Sequence, residues 1–356
     1  MNMPVKFLNR SMLLAAAPFV GIMIWLLATQ LTIVLSPEEP REKAPPEAAM
    51  TGVLQAEEGL DQAAQLAKDT QVSIKKQIGL YERTNADIRL IASTAAKQAQ
   101  RPLAIYDRRI TSKLGATSGT IQSDKLRAQL FSIHAQNFSG YALKVKLGSK
   151  DAMQMVLGND TFGGAETTMS AVKRYKAAAG VNAGGFADGR GKRYPLSTTV
   201  LDGQYLNGFE PSHKDLFFVG MSEDNKLIGG SFTSREQLDR LKPKFGASFV
   251  PVLLRNGKPT VIPSKWQVSP RRAPRTVMAN YKDDQLLFIV VDGYNEKGSS
   301  GATLEEMQIL LQRFGAVDGY NLDGGGSSSL IFNGRIVNTP SDGKLRPLPT
   351  HFLFFK

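Results

Sequence analysis

Three consecutive glycines, Gly324–Gly326, follow Asp323 and precede three serines, and apolar residues crowd the run from both sides (Tyr320, Leu322, Leu330, Ile331, Phe332). A glycine triplet resists regular helix or strand because ordering glycine costs the most backbone entropy. A flexible linker fits badly, since core-type residues bracket this one so closely. The chain must therefore fold a glycine loop into a packed interior. Beside Asp323 and hydroxyls, such a loop suits a nest of backbone N–H groups that holds an anion. No Walker-type lysine accompanies it, which disfavours a nucleotide P-loop.

The texture around the loop fixes the fold class. Tyr141–Leu147 alternates like a half-buried strand; Phe217–Val219, Phe249–Leu254 and Leu286–Val291 read as further strands. Leu286–Val291 is apolar throughout, which predicts a central strand covered on both faces. Helices are predicted over Thr168–Ala179, Ser234–Leu241 and Thr303–Phe314. The last opens on a capping box, Thr303-x-x-Glu306, and stops at Gly315. Strands outnumber helices without strict alternation, so the expectation is α+β: a mixed β-sheet globular domain over residues 105–356, flanked by helices.

The amino-terminal third is different. Residues 1–11 carry Lys6 and Arg10, and Met12–Leu35 is a long apolar run. As a helix it would span about 36 Å, enough for a bilayer core. A cleaved signal would have a shorter apolar region and a small-residue cleavage site. Basic residues before the run and Glu38, Glu39 and Glu42 after it predict a single-pass type II anchor in the cell membrane, with the rest outside. Residues 36–46 form a proline- and glutamate-rich linker. Residues 47–101 lack proline and show a 4-3 spacing through Leu60, Ile74, Ile78, Tyr81 and Ile88. That spacing predicts a helical stalk ending at Pro102, paired as a coiled coil in a homodimer or packed on the main domain.

The absence of cysteine removes disulfides and thiolate chemistry, and three histidines are too few for a multi-histidine metal centre. The net charge of +12 favours anionic partners. Nucleic acid is not among those expected, because the basic residues are scattered and lack an aromatic platform.

Four segments carry candidate chemistry. Asn182 with Gly184 and Gly185 offers an amide and close backbone approach, although the same pattern serves ordinary turns. Arg275 follows Pro274 in a basic run, where a guanidinium grips a phosphate or carboxylate. Asp292-Gly293 ends the apolar strand, where ligands gather in open sheets. The fourth is the loop itself: Asn321, Asp323, Gly324, Gly325, Gly326, Ser327 and Ser328.

In this order the segments resemble the phosphodiester glycosidase family. The likeness runs over about Gly180–Phe355 and is strongest at Pro274–Thr276, Val291–Gly293, Gly301–Glu306, Asn321–Ser328 and Asn338–Asp342. The chain departs at Tyr294, where the family often has arginine, and in the setting of Arg346. An animal member removes N-acetylglucosamine from phosphomannosyl groups, and bacterial members are linked to exopolysaccharide. The resemblance implies hydrolysis of a sugar-1-phosphodiester at the anomeric C–O bond, with a phosphorylated carbohydrate as substrate. On that basis Arg275 and the amides of Gly324–Gly326 are assigned to the phosphate. Asp323 and Asp292 are assigned as base, nucleophile or cation stabiliser, and Asn182 and Asn321 to the sugar or the water. Ser327 and Ser328 either bind phosphate oxygens or satisfy the loop's own backbone. Oxygens near Asp292 leave calcium open as a ligand, though no regular calcium loop is legible. Two other readings are a P–O-cleaving phosphodiesterase and a non-catalytic module that binds phosphate-containing surface polymers.

Overall fold

The computed structural model describes residues 46–213, 215–293 and 300–356. The expected anchor at 12–35, most of the linker before residue 46, and Tyr294 lie outside them. Among the described residues no helix is long and apolar enough to cross a membrane. The chain divides into two compact units, one reaching Ser93 and one beginning at Thr94.

The first unit is described as helix. Its described residues, 46–93, belong to a long helix, Pro46–Leu114, whose alanine-, glutamine- and lysine-rich composition favours this state. Leu60, Ile74, Ile78, Tyr81 and Ile88, the predicted seam, are all exposed.

In the second unit the helix does not stop at Pro102, as the sequence predicts, but runs on to Leu114. Proline there lacks an N–H and costs a helix interior about 3 kcal/mol. Burial of the turns that follow offsets this. Ile110 and Leu114 are buried against the sheet domain, and Lys144 Nζ donates to Asp107 Oδ1 at 2.6 Å and to Thr111 Oγ1 at 2.9 Å. Gly115, with φ at 99°, then ends the helix.

The central sheet runs in the order Thr117–Gln122, Leu126–His134, Ser139–Leu147, Leu286–Val291, Arg275–Asn280, Gly319–Leu322, Val252–Arg255, Lys258–Pro259. Leu286–Val291 lies mid-sheet with all six residues buried, as its unbroken apolarity predicts. Alternation sends its residues to two cores. Leu287, Ile289 and Val291 face one core, shared with Ile110, Leu114 and the helix Leu304–Phe314. Leu286, Phe288 and Val290 face the other, shared with two further sheets. One of these orders Arg335–Ile336, Leu330–Phe332, Ala179–Asn182, Thr350–Phe354, Met153–Leu157; the other is built on Phe217–Ser222 and Pro243–Phe249. The domain is thus α+β and sheet-rich.

The expected strand Phe249–Leu254 proves to be two, Pro243–Phe249 in an outer sheet and Val252–Arg255 in the central one. Pro251, between them, has no N–H for a ladder, and the chain changes sheets there. The helix Leu304–Phe314 has the predicted capping box: Thr303 Oγ1 accepts from the Glu306 amide, and Glu306 Oε2 accepts from the Thr303 amide. The other two helices are shorter than predicted, at Thr168–Tyr175 and Arg235–Asp239.

Candidate active site

Register brings the motifs together. Arg275 pairs with Val291, and Thr276 with Leu322, so the next residues out, Pro274, Asp292 and Asp323, stand at one end of three adjacent strands. Pro274 is the pivot. A Cβ on Gly293 would collide with its ring, and one on Gly324 would lie 2.8 Å from its carbonyl.

Each glycine of the triplet has its own reason. Gly324 must pass close to Pro274. Gly325 takes φ of 59°, the left-handed region that favours glycine, and no atom lies within 4 Å of where its Cβ would be. Gly326 lies directly beneath Arg346 and Asp342, leaving no room for a side chain. The run makes a short 3-10 turn, Gly325–Ser327. The expected N–H nest is largely used up by the protein itself. The Gly325 amide donates to Pro274 O at 2.9 Å, and the Gly324 amide bonds the Asp323 carboxylate.

Asn182 holds the loop in place. Its Nδ2 donates to Asp323 O at 2.6 Å, while its Oδ1 accepts from Thr276 Oγ1 and the Ser329 amide, both at 3.0 Å. Fully buried, with both its nitrogen and its oxygen hydrogen-bonded, it joins two sheets and the loop, instead of aiming at open space. Ser328 Oγ bonds Thr276 Oγ1, and Ser329 Oγ bonds Thr168 Oγ1, itself paired with His351 Nδ1. Burial pushes the His351 imidazole down to about 4, so it is neutral and structural near pH 7. Gly184 and Gly185 lie against Ala247 and Phe249, which fill the space their missing side chains leave. Asn321 donates through Nδ2 to Val250 O at 2.7 Å, and its buried Oδ1 has no hydrogen-bond partner among the described residues.

The two aspartates differ. Burial pushes the Asp323 carboxyl up to about 6, against the pull of Ser327, Arg346, the Gly324 amide and Arg193. Its Oδ2 is closed off without a hydrogen-bond partner among the described residues. Asp292 is buried and also shifted up by desolvation, opposed by the Thr339 amide, which donates to Oδ1 at 2.6 Å, and by Asn338. Asn338 in turn donates to Ser328 O and accepts from the Leu330 amide, so the 338–342 segment ties Asp292 to the glycine loop.

Arg275 is set apart from this cluster. Val277 and Ala279, two and four residues on, face the helix-covered core, and Arg275 points the same way. Its Nε donates to Ala302 O at 3.1 Å and its Nη2 to Pro270 O at 2.9 Å; desolvation lowers its pKa to about 10. Two arginines that sequence reasoning did not place, Arg193 and Arg346, act electrostatically on Asp323 instead. Arg346 follows the 338–342 motif, but nothing in the sequence marks Arg193, which stands on the hairpin Phe186–Gly189/Lys192–Pro195. Among the described residues no three histidine or acidic side chains gather as for a metal ion.

The sequence profile of phosphodiester glycosidases matches residues 175–355, which contain Asn182, Asp292, Asp323 and both of these arginines. The chain belongs to the phosphodiester glycosidase family. An uncharacterised SPbeta prophage-derived protein of Bacillus subtilis is 28% identical over 181 residues, which cover 50% of this chain and 28% of that protein. The mouse N-acetylglucosamine-1-phosphodiester alpha-N-acetylglucosaminidase is 27% identical over 161 residues, 41% of this chain and 30% of the enzyme. The chain therefore spans less than a third of the length of these relatives. The catalytic domain of the zebrafish counterpart, solved in a form auto-inhibited by its pro-peptide, superposes with a TM-score of 0.54 at 21% identity. That alignment covers 68% of this chain and 89% of the zebrafish one, and shows that the two share a fold.

Proposed function

We propose that the chain hydrolyses sugar-1-phosphodiesters at the anomeric C–O bond, releasing a free sugar and a phosphomonoester. One observation carries the reading: the buried Asp323 carboxylate keeps an oxygen with no hydrogen-bond partner among the described residues, beside a glycine loop in which a side chain at Gly325 alone would meet open space. With a pKa of about 6, Asp323 is ionised near neutrality yet basic enough to take a proton. Water attacks the anomeric carbon and gives its proton to Asp323, while the C–O bonding pair leaves with the phosphate. Phosphate is a good leaving group, so a strong general acid is less needed than for an ordinary glycoside. Asp292, held by Thr339, stabilises positive charge developing on the sugar ring; Asn182 keeps the Asp323 segment in place, and Arg275 fastens the loops at Pro270 and Ala302.

The apolar run at 12–35 supports a membrane anchor of type II topology, with the site outside the cytoplasm and surface or exopolysaccharide material as substrate. The exposed 4-3 seam of the long helix supports pairing of two copies as a coiled coil. The family match covers residues 175–355 of the sheet domain and bears on neither point.

The test is incubation of the protein with a panel of sugar-1-phosphodiesters and identification of the products. Free reducing sugar with a phosphomonoester is expected. Sugar-1-phosphate would instead indicate P–O cleavage, and an unchanged panel with measurable binding would indicate a binding module.

A further inference from the structure

We propose that Arg193 and Arg346 together receive the phosphate of the substrate in front of Gly325, releasing Asp188 and Asp342 to take it. This rests on the phosphodiester reading above and names its anion subsite.

Each arginine is already arranged as a fork around a carboxylate. Arg193 Nε and Nη2 hold the two oxygens of Asp188 at 2.7 and 3.2 Å. Arg346 Nε and Nη2 converge on Asp342 Oδ2 at 3.0 and 2.7 Å. A guanidinium geometry that fits carboxylate also fits phosphate oxygens. The forks are anchored from behind. Arg193 Nη1 donates to Pro347 O at 2.5 Å and its guanidinium stacks 4.2 Å from the Phe186 ring centroid, while Arg346 Nη1 reaches Ser327 Oγ at 3.5 Å. Arg193 is thus bound to the residue next to Arg346, and the charges of both act on Asp188 and on Asp323.

The carboxylates are placed for exchange. The Asp188 and Asp342 side chains are 63% and 38% exposed, against 23% and 35% for their arginines. Asp188 can turn to water while the better-buried Arg193 stays; Asp342 and Arg346 are about equally exposed, and Arg346 also holds to Ser327. Space for the incoming group exists at Gly325, where an added Cβ would meet nothing within 4 Å outside the neighbouring residues, whereas Gly326 is covered by the Arg346–Asp342 pair itself. Arg275, with two nitrogens on backbone carbonyls, is engaged elsewhere. The exchange also serves turnover. Returning carboxylates compete with the anionic phosphomonoester and help expel it.

The test titrates inorganic phosphate into the whole protein by calorimetry, in wild type, Arg193→Gln, Arg346→Gln and Asp342→Asn. Loss of either fork should weaken binding by about tenfold or more. Asp342→Asn, which removes the internal competitor, should tighten it several-fold, an outcome that damage to the fold would not produce. Equal phosphate affinity in all four proteins, or weaker binding in Asp342→Asn, overturns the clamp. The glycosidase reading is judged separately on the sugar-1-phosphodiester panel. Arginine variants that cleave it with unchanged KM overturn the clamp alone. Phosphate binding through both arginines in a protein that cleaves nothing supports the clamp and overturns the glycosidase.

Discussion

Asp323 concentrates the chemistry into one ionisation. Its carboxyl is raised by burial, so the neutral form suits the folded state and the ionised form costs stability. A raised carboxyl contributes stability below the unfolded pKa of about 3.9, and that contribution is lost as pH rises through about 6. Asp323→Asn should therefore be inactive yet melt higher than wild type at pH 8, with the gap closing towards pH 5. Melting curves at the two pH values check this, and a lower melting temperature at pH 8 would contradict it. In wild type, with ionised Asp323 as the proposed base, kcat/KM should rise along a limb with its midpoint near 6. Asn182 is the opposite case. Asn182→Ala removes three buried bonds and should cost about 2–4 kcal/mol, measured by denaturant unfolding. Its loss of activity would then follow the disordered loop. In the sequence, Asn182 and Asp323 look equally catalytic. Only the bond count separates an amide that is spent on the fold from a carboxylate that is not.

At the level of elements, legibility followed local self-sufficiency. The strand Leu286–Val291 and the capping box of the following helix declare themselves because their causes lie within a few residues. Pro102 misleads because its local penalty is outweighed by distant contacts, Asp107 with Lys144 and Ile110 with the sheet core. Arg193 was invisible for the same reason: a lone arginine in a hairpin gains meaning only when Arg346 stands nearby. The helix docking can be dissected. Asp107→Ala strands the buried Lys144 ammonium and should cost about 1–3 kcal/mol, below the figure for a fully buried pair because Asp107 keeps some water contact. The double change Asp107→Leu with Lys144→Met should recover most of that loss in urea titrations. A double mutant no better than the single would mean that the charges themselves secure the helix.

Across the whole molecule, the second unit begins inside the long helix. A chain starting at Thr94 should keep its fold and the activity proposed above. One starting at Gly115 loses Ile110, Leu114 and Asp107, and should unfold at clearly lower temperature. Equal melting of the two would show that the last helical turns are dispensable. The floor of the site is likewise assembled from afar. Thr168 reaches His351 across 183 positions, and the strand Thr350–Phe354 inserts between Ala179–Asn182 and Met153–Leu157. During synthesis, an emerging polypeptide therefore carries a gap in that sheet until Thr350–Phe354 arrives to fill it. The proposed activity should accordingly appear abruptly at that closing step.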